Sequence, residues 1–145
     1  MQEMRIMYDK ILVAVDKSAA SDRAVLAARD LAQLSNGEVW VLHLREHELG
    51  GKAGMLPPRE TRDEADTEVA ACVEVLTDAG VKAHGLVKST MYGYAAREIV
   101  ADAIELGCGV IVMGSRGRGD LAGLVIGSTA HKVIHLTDRP VLIVR

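Results

Sequence analysis

Short, continuously apolar runs alternate with amphipathic stretches along this chain. Ile11-Leu12-Val13-Ala14-Val15 is apolar throughout and stops at Asp16. A run that short and unbroken fits a strand buried on both faces, as in a parallel sheet. Asp16-Lys17-Ser18 follows as a turn, with Ser18 or Ser21 placed to cap a helix. In that helix Ala24, Ala27, Ala28, Leu31 and Leu34 fall on one stripe, Asp22, Arg23, Arg29 and Asp30 lie largely outside it, and Asn36-Gly37 ends it.

The alternation then repeats. Val39 to Leu44 reads as the second strand. Arg45 to Pro58 carries Gly50, Gly51, Gly54 and Pro57-Pro58, and reads as a long loop of the kind that forms a lid or a surface excursion. Glu60 to Ala79 is a helix with Ala65, Val69, Cys72, Val73 and Leu76 inward. Val81 to Lys88 alternates only partly, which suits an edge strand. Tyr94 to Leu106 is a helix with Ala96, Ile99, Val100 and Ala103 inward. Val110 to Met113 is a wholly apolar strand, a glycine-rich segment follows, and a short helix runs from Ser128 to Leu136. Val141 to Val144 is the last strand, while Met1 to Asp9 shows no period and reads as a tail.

This order predicts an α/β fold: a doubly wound, five-stranded parallel sheet with helices on both faces, in one domain spanning residues 1–145. The strand order 3-2-1-4-5 puts the two apolar strands 1 and 4 at the centre and strand 3 at an edge. The chain reverses its winding between strands 1 and 4, and ligands bind at such a reversal, outside the carboxyl ends of the strands. Those ends are Asp16 and Gly114.

Composition narrows the classes. The chain has 145 residues, 49% of them hydrophobic, and a formal net charge of −3. That length is enough for a real core, and that composition is not of a disordered chain. A weakly acidic chain with one Trp, three Tyr and no Phe lacks the basic face and stacking rings of a nucleic-acid binder. Cys72 and Cys108 make neither a disulfide framework nor a metal motif and read as small buried residues of a reduced, cytoplasmic protein. No apolar run approaches the roughly 18 residues of a membrane span, and the N-terminal pattern is not that of a signal peptide.

The chemistry gathers between Val110 and Thr129, where five glycines lie between an apolar strand and a Ser/Thr pair. Glycine lets backbone approach a ligand closely, and a helix start offers free N–H groups to an anion. The segment lacks the Lys of a P-loop. Gly117-Arg118-Gly119-Asp120-Leu121-Ala122 matches a dinucleotide fingerprint, but no second strand ending in a ribose-binding acid follows it. A receiver domain is excluded too, because strand 1 ends in the single Asp16 and strand 3 in Lys88-Ser89.

The spacing that fits is Gly114-x2-Gly117-x9-Gly127-Ser128. With Lys10-Ile11-Leu12-Val13-Ala14-Val15-Asp16-x-Ser18 and Pro140-Val141-Leu142-Ile143-Val144-Arg145, it resembles the universal stress protein family, in its ATP-binding subgroup, over about Lys10 to Arg145. The resemblance implies ATP held by Gly114, Gly117, Gly127 and Ser128, with Thr129 beside them. Asp16 would sit against the nucleoside, and Ala14, Val15, Leu44 and Met113 near adenine and ribose. It implies Mg²⁺ bridging the phosphates, a nucleotide-dependent stress-response or regulatory role, and at most slow ATP hydrolysis. AMP, cyclic AMP, or a phosphoryl- or adenylyl-transfer enzyme using the 45–58 loop are the alternatives. Some ATP-binding relatives have Pro-Thr before the Asp, where this chain has Ala14-Val15.

Of the remaining residues, Arg116 is placed to touch phosphate and Arg118 to face solvent. Asp120 is the one acid of the loop. His131 and His135 have a metal-capable spacing, but no third ligand is evident, and no metal site is expected there. His43 reads as a strand histidine packed near the sheet end, His47 and His84 as surface, and Trp40 and the three Tyr as packing. Val141, Leu142, Ile143 and Val144 would leave an apolar edge that invites pairing. The family resemblance implies a homodimer through this strand.

Overall fold

The computed structural model describes residues 7–51, 54–58, 60–116 and 126–145. Its elements run β1 (Lys10–Ala14), α1 (Ala19–Ser35), β2 (Glu38–His47), α2 (Arg62–Asp78), β3 (Lys82–Met91), α3 (Ala95–Leu106), β4 (Val110–Gly114), α4 (Ser128–Leu136) and β5 (Val141–Val144). The sheet is parallel, in the order β3-β2-β1-β4-β5 expected from the hydrophobic pattern.

The two faces of the sheet bury separate cores. Alternate residues Ile11 and Val13 of β1 and Val15 just beyond it, with Val39 and Val41 of β2, pack under α1 and α2. Leu12 and Leu42 pack with Ile111 and Met113 under α3 and α4. Ile11–Ala14 of β1 and Val110–Met113 of β4 are therefore apolar without a break because both faces are covered, the reason a parallel strand loses its alternation.

Several local expectations are corrected. The α1 stripe turns toward Ala20, Val25 and Ala32, and Leu34 is 87% exposed. Cys72 is only half-buried, whereas Cys108 is buried. Tyr92 and Tyr94 are exposed rather than packed, while Tyr8 does pack on the core. Met7 to Asp9 are docked: Ser35 Oγ donates to the Tyr8 carbonyl, and a Cβ at Gly109 would collide with the Met7 carbonyl oxygen. His84 is half-buried; it stacks on Trp40 and pairs with Glu38 at 3.0 Å, whose carboxyl that hydrogen bond holds below the usual range.

The second and third strands outrun their apolar cores. β2 continues through Arg45, Glu46 and His47, pairing with Ser89, Thr90 and Met91 of β3, so the 45–58 segment begins as strand. Beyond it Leu49 bridges Met55 antiparallel, and Leu56 N–H donates to the Glu48 carbonyl. The extension satisfies backbone groups by pairing and raises a wall beyond the ends of β1 and β4. Among the described residues no helix is long and apolar enough to cross a membrane.

Candidate functional site

β1 and β4 lie side by side, with Ala14 paired to Met113. From β1 the chain enters α1 on one face; α4, which follows β4, packs on the other. The crevice between these departures opens into a cavity of about 650 Å³, a size suited to a small ligand. Ala14, Val15, Asp16, Leu44, Met113, Gly114, Arg116, Gly127, Ser128 and Thr129 all line it. Residues from opposite halves of the chain are thus brought together. Gly117, with Arg118 and Asp120, lies outside the described residues.

The Asp16 turn is held by a small network. Ser18 N–H donates to Asp16 Oδ1 at 3.1 Å, Asp16 N–H donates to Ser21 Oγ at 3.0 Å, and Ser21 N–H donates to Ser18 Oγ at 3.0 Å. Ser18 is therefore the helix cap and Ser21 the support of the Asp16 backbone. Lys17 between them has φ 67°, a left-handed conformation that a non-glycine residue adopts only when its surroundings fix it.

Gly114 has a packing role that its place in the glycine pattern does not reveal. A Cβ there would meet Ala20 Cβ at 2.8 Å and the backbone of Ala20 and Ser21 at 3.0 and 3.1 Å. The first turn of α1 thus rests on β4 at this glycine, which keeps Asp16 beside the end of β4.

At the other side, α4 begins after Gly127, whose N–H donates to the Ser115 carbonyl and which has no side chain to cap the helix. The first intrahelical bond runs from His131 N–H to the Gly127 carbonyl at 3.0 Å. The N–H groups of Ser128, Thr129 and Ala130 therefore have no acceptor within the helix and border the cavity. Such a helix start favours an anion. Arg116 is exposed on the cavity wall, and Lys132, one turn along α4 from Ser128, also lines it.

Other lining residues escaped the sequence reading. Leu42, Glu46 and Glu48 line the cavity on the same side of β2 as the expected Leu44 and just beyond the strand, and Leu56, Pro57 and Pro58 add to the wall. Burial pushes the Glu46 carboxyl above its ordinary range, against the opposing charge of Lys132. The Lys132 position was legible, since four residues from Ser128 is the same helix face. The glutamates were not, because they fall where the apolar run of β2 ends.

His43 sits on the opposite side of β2, 5% exposed. Its Nδ1 lies 2.8 Å from the Val15 carbonyl, Nε2 meets Glu60 Oε1, and Nδ1 stands 3.5 Å from Glu68 Oε2. Lys17 Nζ is 3.4 Å from Glu60 Oε2. Burial alone would raise the Glu60 carboxyl, but the bonds and charges of His43 and Lys17 outweigh it and hold it low; burial raises that of Glu68. His131 and His135 meet edge to face at 4.5 Å. Burial lifts the thiols of Cys72 and Cys108 to about 11, which leaves both as unreactive thiols at neutral pH.

Comparison with known proteins agrees with this architecture. The sequence profile of the universal stress protein family matches residues 7–145. Universal stress protein YxiE of Bacillus subtilis is 36% identical, over 96% of this chain and 100% of its own. The solved structure of MJ0577, a universal stress protein of Methanocaldococcus jannaschii, superposes with TM-score 0.78 at 26% identity, covering 96% of each chain. A universal stress protein from Archaeoglobus fulgidus in complex with dAMP shares the fold at TM-score 0.70 and 24% identity, over 97% of this chain and 100% of its own.

Proposed function

This chain belongs to the universal stress protein family, and from that premise we propose that its switch-point cavity binds ATP and makes the protein a nucleotide-dependent stress-response module. The observation that carries this reading is the convergence of Asp16, Gly114, Arg116 and the uncapped start of α4 on one cavity. A carboxylate at a strand end is an acceptor for ribose hydroxyls. Free N–H groups and the Ser128 hydroxyl are donors for phosphate. Arg116 and Lys132 supply the positive charge on the same side, and the apolar Ala14, Val15, Leu44 and Met113 suit the nucleoside.

Mg²⁺ fits the donors present. It binds through a few oxygens plus substrate phosphates rather than in an all-protein cage. The Ser128 hydroxyl is the protein oxygen we assign to it, and its chemistry there is to neutralise phosphate charge. The residues of this chain bind and orient the nucleotide. Hydrolysis is at most slow, because positioning donors alone do not activate a water. The 45–58 segment lends Leu56, Pro57 and Pro58 to the same cavity, which favours a wall for one nucleotide over a pocket for a second substrate.

Mass spectrometry of small molecules released from freshly purified protein tests the ligand without choosing it beforehand. ATP is expected, and release of AMP or cyclic AMP alone would replace the triphosphate in this reading. Gly127→Val, at a residue whose φ of −74° any amino acid can adopt, should keep the fold and release no nucleotide. A Gly127→Val protein still loaded with ATP would move the phosphate site elsewhere.

A further inference from the structure

We propose that His43, Glu60 and Glu68 form a site for one divalent transition-metal ion of the zinc type, on the α1–α2 side of the β2 strand end. One imidazole and two carboxylates are a donor set suited to such an ion. One ligand atom from each of the three lies within 4.8 Å of the others. Three different places in the chain meet here: β2, the residue just before the Thr61 cap of α2, and the second turn of α2.

Two observations point to a cation rather than to a polar cluster at rest. The first is the histidine. The Val15 carbonyl can only accept, so Nδ1 carries a hydrogen, and Nε2 is the ring nitrogen turned to Glu60 Oε1. A proton or a metal cation stands between Nε2 and that carboxylate. Fixing one ring nitrogen on a carbonyl is how a protein orients a metal-binding histidine. The second is Glu68, whose side chain is 10% exposed and whose Oε2 is buried without a hydrogen-bond partner. A proton on Nε2 would satisfy Glu60 and leave Glu68 Oε2, which lies 3.5 Å from Nδ1, still without a hydrogen bond; an ion within reach of one atom of each residue would engage all three.

The surroundings are built to hold this geometry. Arg45 Nη2 donates to the Glu60 carbonyl oxygen at 3.2 Å, which fixes the backbone of that ligand. Lys17 Nζ pairs with Glu60 Oε2 at 3.4 Å and its side chain is 32% exposed, so the ammonium can swing into solvent as the ion enters, while the Lys17 backbone keeps its hydrogen bond to Glu68. The ion would tie the start of α2 to the carbonyl of Val15, next to Asp16. His43 and Glu60 also border the nucleotide cavity, but none of the three ligands is among the groups assigned to phosphate, so the ion is tested without nucleotide.

The test uses the full chain, stripped with a chelator and free of nucleotide and phosphate. Zn²⁺ is titrated by calorimetry and Co²⁺ by its visible absorption. One ion per chain is expected, with binding weakened by at least about tenfold in His43→Gln and in Glu68→Gln, both checked for native circular dichroism. Should Glu68→Gln fail to fold, the less buried Glu60→Gln carries the same expectation. Absence of binding by the wild type overturns the proposal. So does binding that persists in His43→Gln and is lost in His131→Asn, which would place the ion on the α4 histidines.

Discussion

Asp16 has one carboxylate oxygen held by Ser18 N–H, and its own N–H is held by Ser21. Asp16→Ala therefore removes a ligand group without removing the helix cap. Loss of a charged hydrogen-bonding partner is worth about 1.5–3 kcal/mol, so ATP affinity should fall roughly 10- to 100-fold, by calorimetry, with a lower melting temperature of the free protein, because Ser18 N–H loses its acceptor, but a native fold by circular dichroism. Lys132→Met should weaken ATP by about fivefold at low salt and less at high salt, since an exposed charge on phosphate is screened; a loss that ignores ionic strength would assign Lys132 a packing role. Gly114 answers to stability as well as to binding. Gly114→Ala drives a Cβ into the Ala20 and Ser21 backbone, an overpacking that costs about 1–3 kcal/mol in urea denaturation, even without nucleotide.

At the scale of elements, β3 and α3 are joined by Lys88 on Asp102, with Lys88 41% and the Asp102 side chain 4% exposed. The hydrogen bond to Asp102 raises the Lys88 pKa. A raised lysine stabilises the fold fully below its unfolded value of about 10.4, and that contribution is lost as pH rises through the higher folded value. Lys88→Met should cost about 1–2 kcal/mol at neutral pH, a burial penalty reduced by the solvent that reaches Lys88. The gap to wild type in urea midpoint should stay constant up to about pH 10 and narrow above it. A gap that is flat through the alkaline range would mean that the ammonium does not stabilise Asp102.

The same scale shows what the sequence made legible. Runs such as Ile11–Val15 and Val110–Met113 announce themselves because burial on both faces leaves no polar position. Their order implied the reversal that gathers Asp16, Gly114 and Gly127. The ends of β2 and β3 were hidden, because Arg45–His47 and Ser89–Met91 are held by strand pairing beyond the core and carry no apolar signal. The α1 stripe was misjudged at Leu34 because an all-apolar tally of that helix ignores where the sheet ends. The His43–Glu60–Glu68 cluster had no local signature at all: its members are separated in sequence and meet only through the strand order.

For the whole molecule, β5 closes one edge of the sheet with Leu142 41% exposed and Val141 and Ile143 packed on the core beneath α3 and α4. Such an edge pairs readily, and a homodimer through Val141–Val144 is the assembly we expect. Leu142→Asp changes the exposed side chain and spares the packed ones, so sedimentation should show a monomer with native circular dichroism. An unchanged dimer would move the interface. The central claim concerns the cavity between the two halves of the sheet, and calorimetric titration of Mg-ATP into wild type and Gly127→Val tests it most directly. One ATP bound per wild-type chain and none by the variant is the predicted result; no heat from the wild type at millimolar Mg-ATP, or equal binding by both proteins, would contradict it.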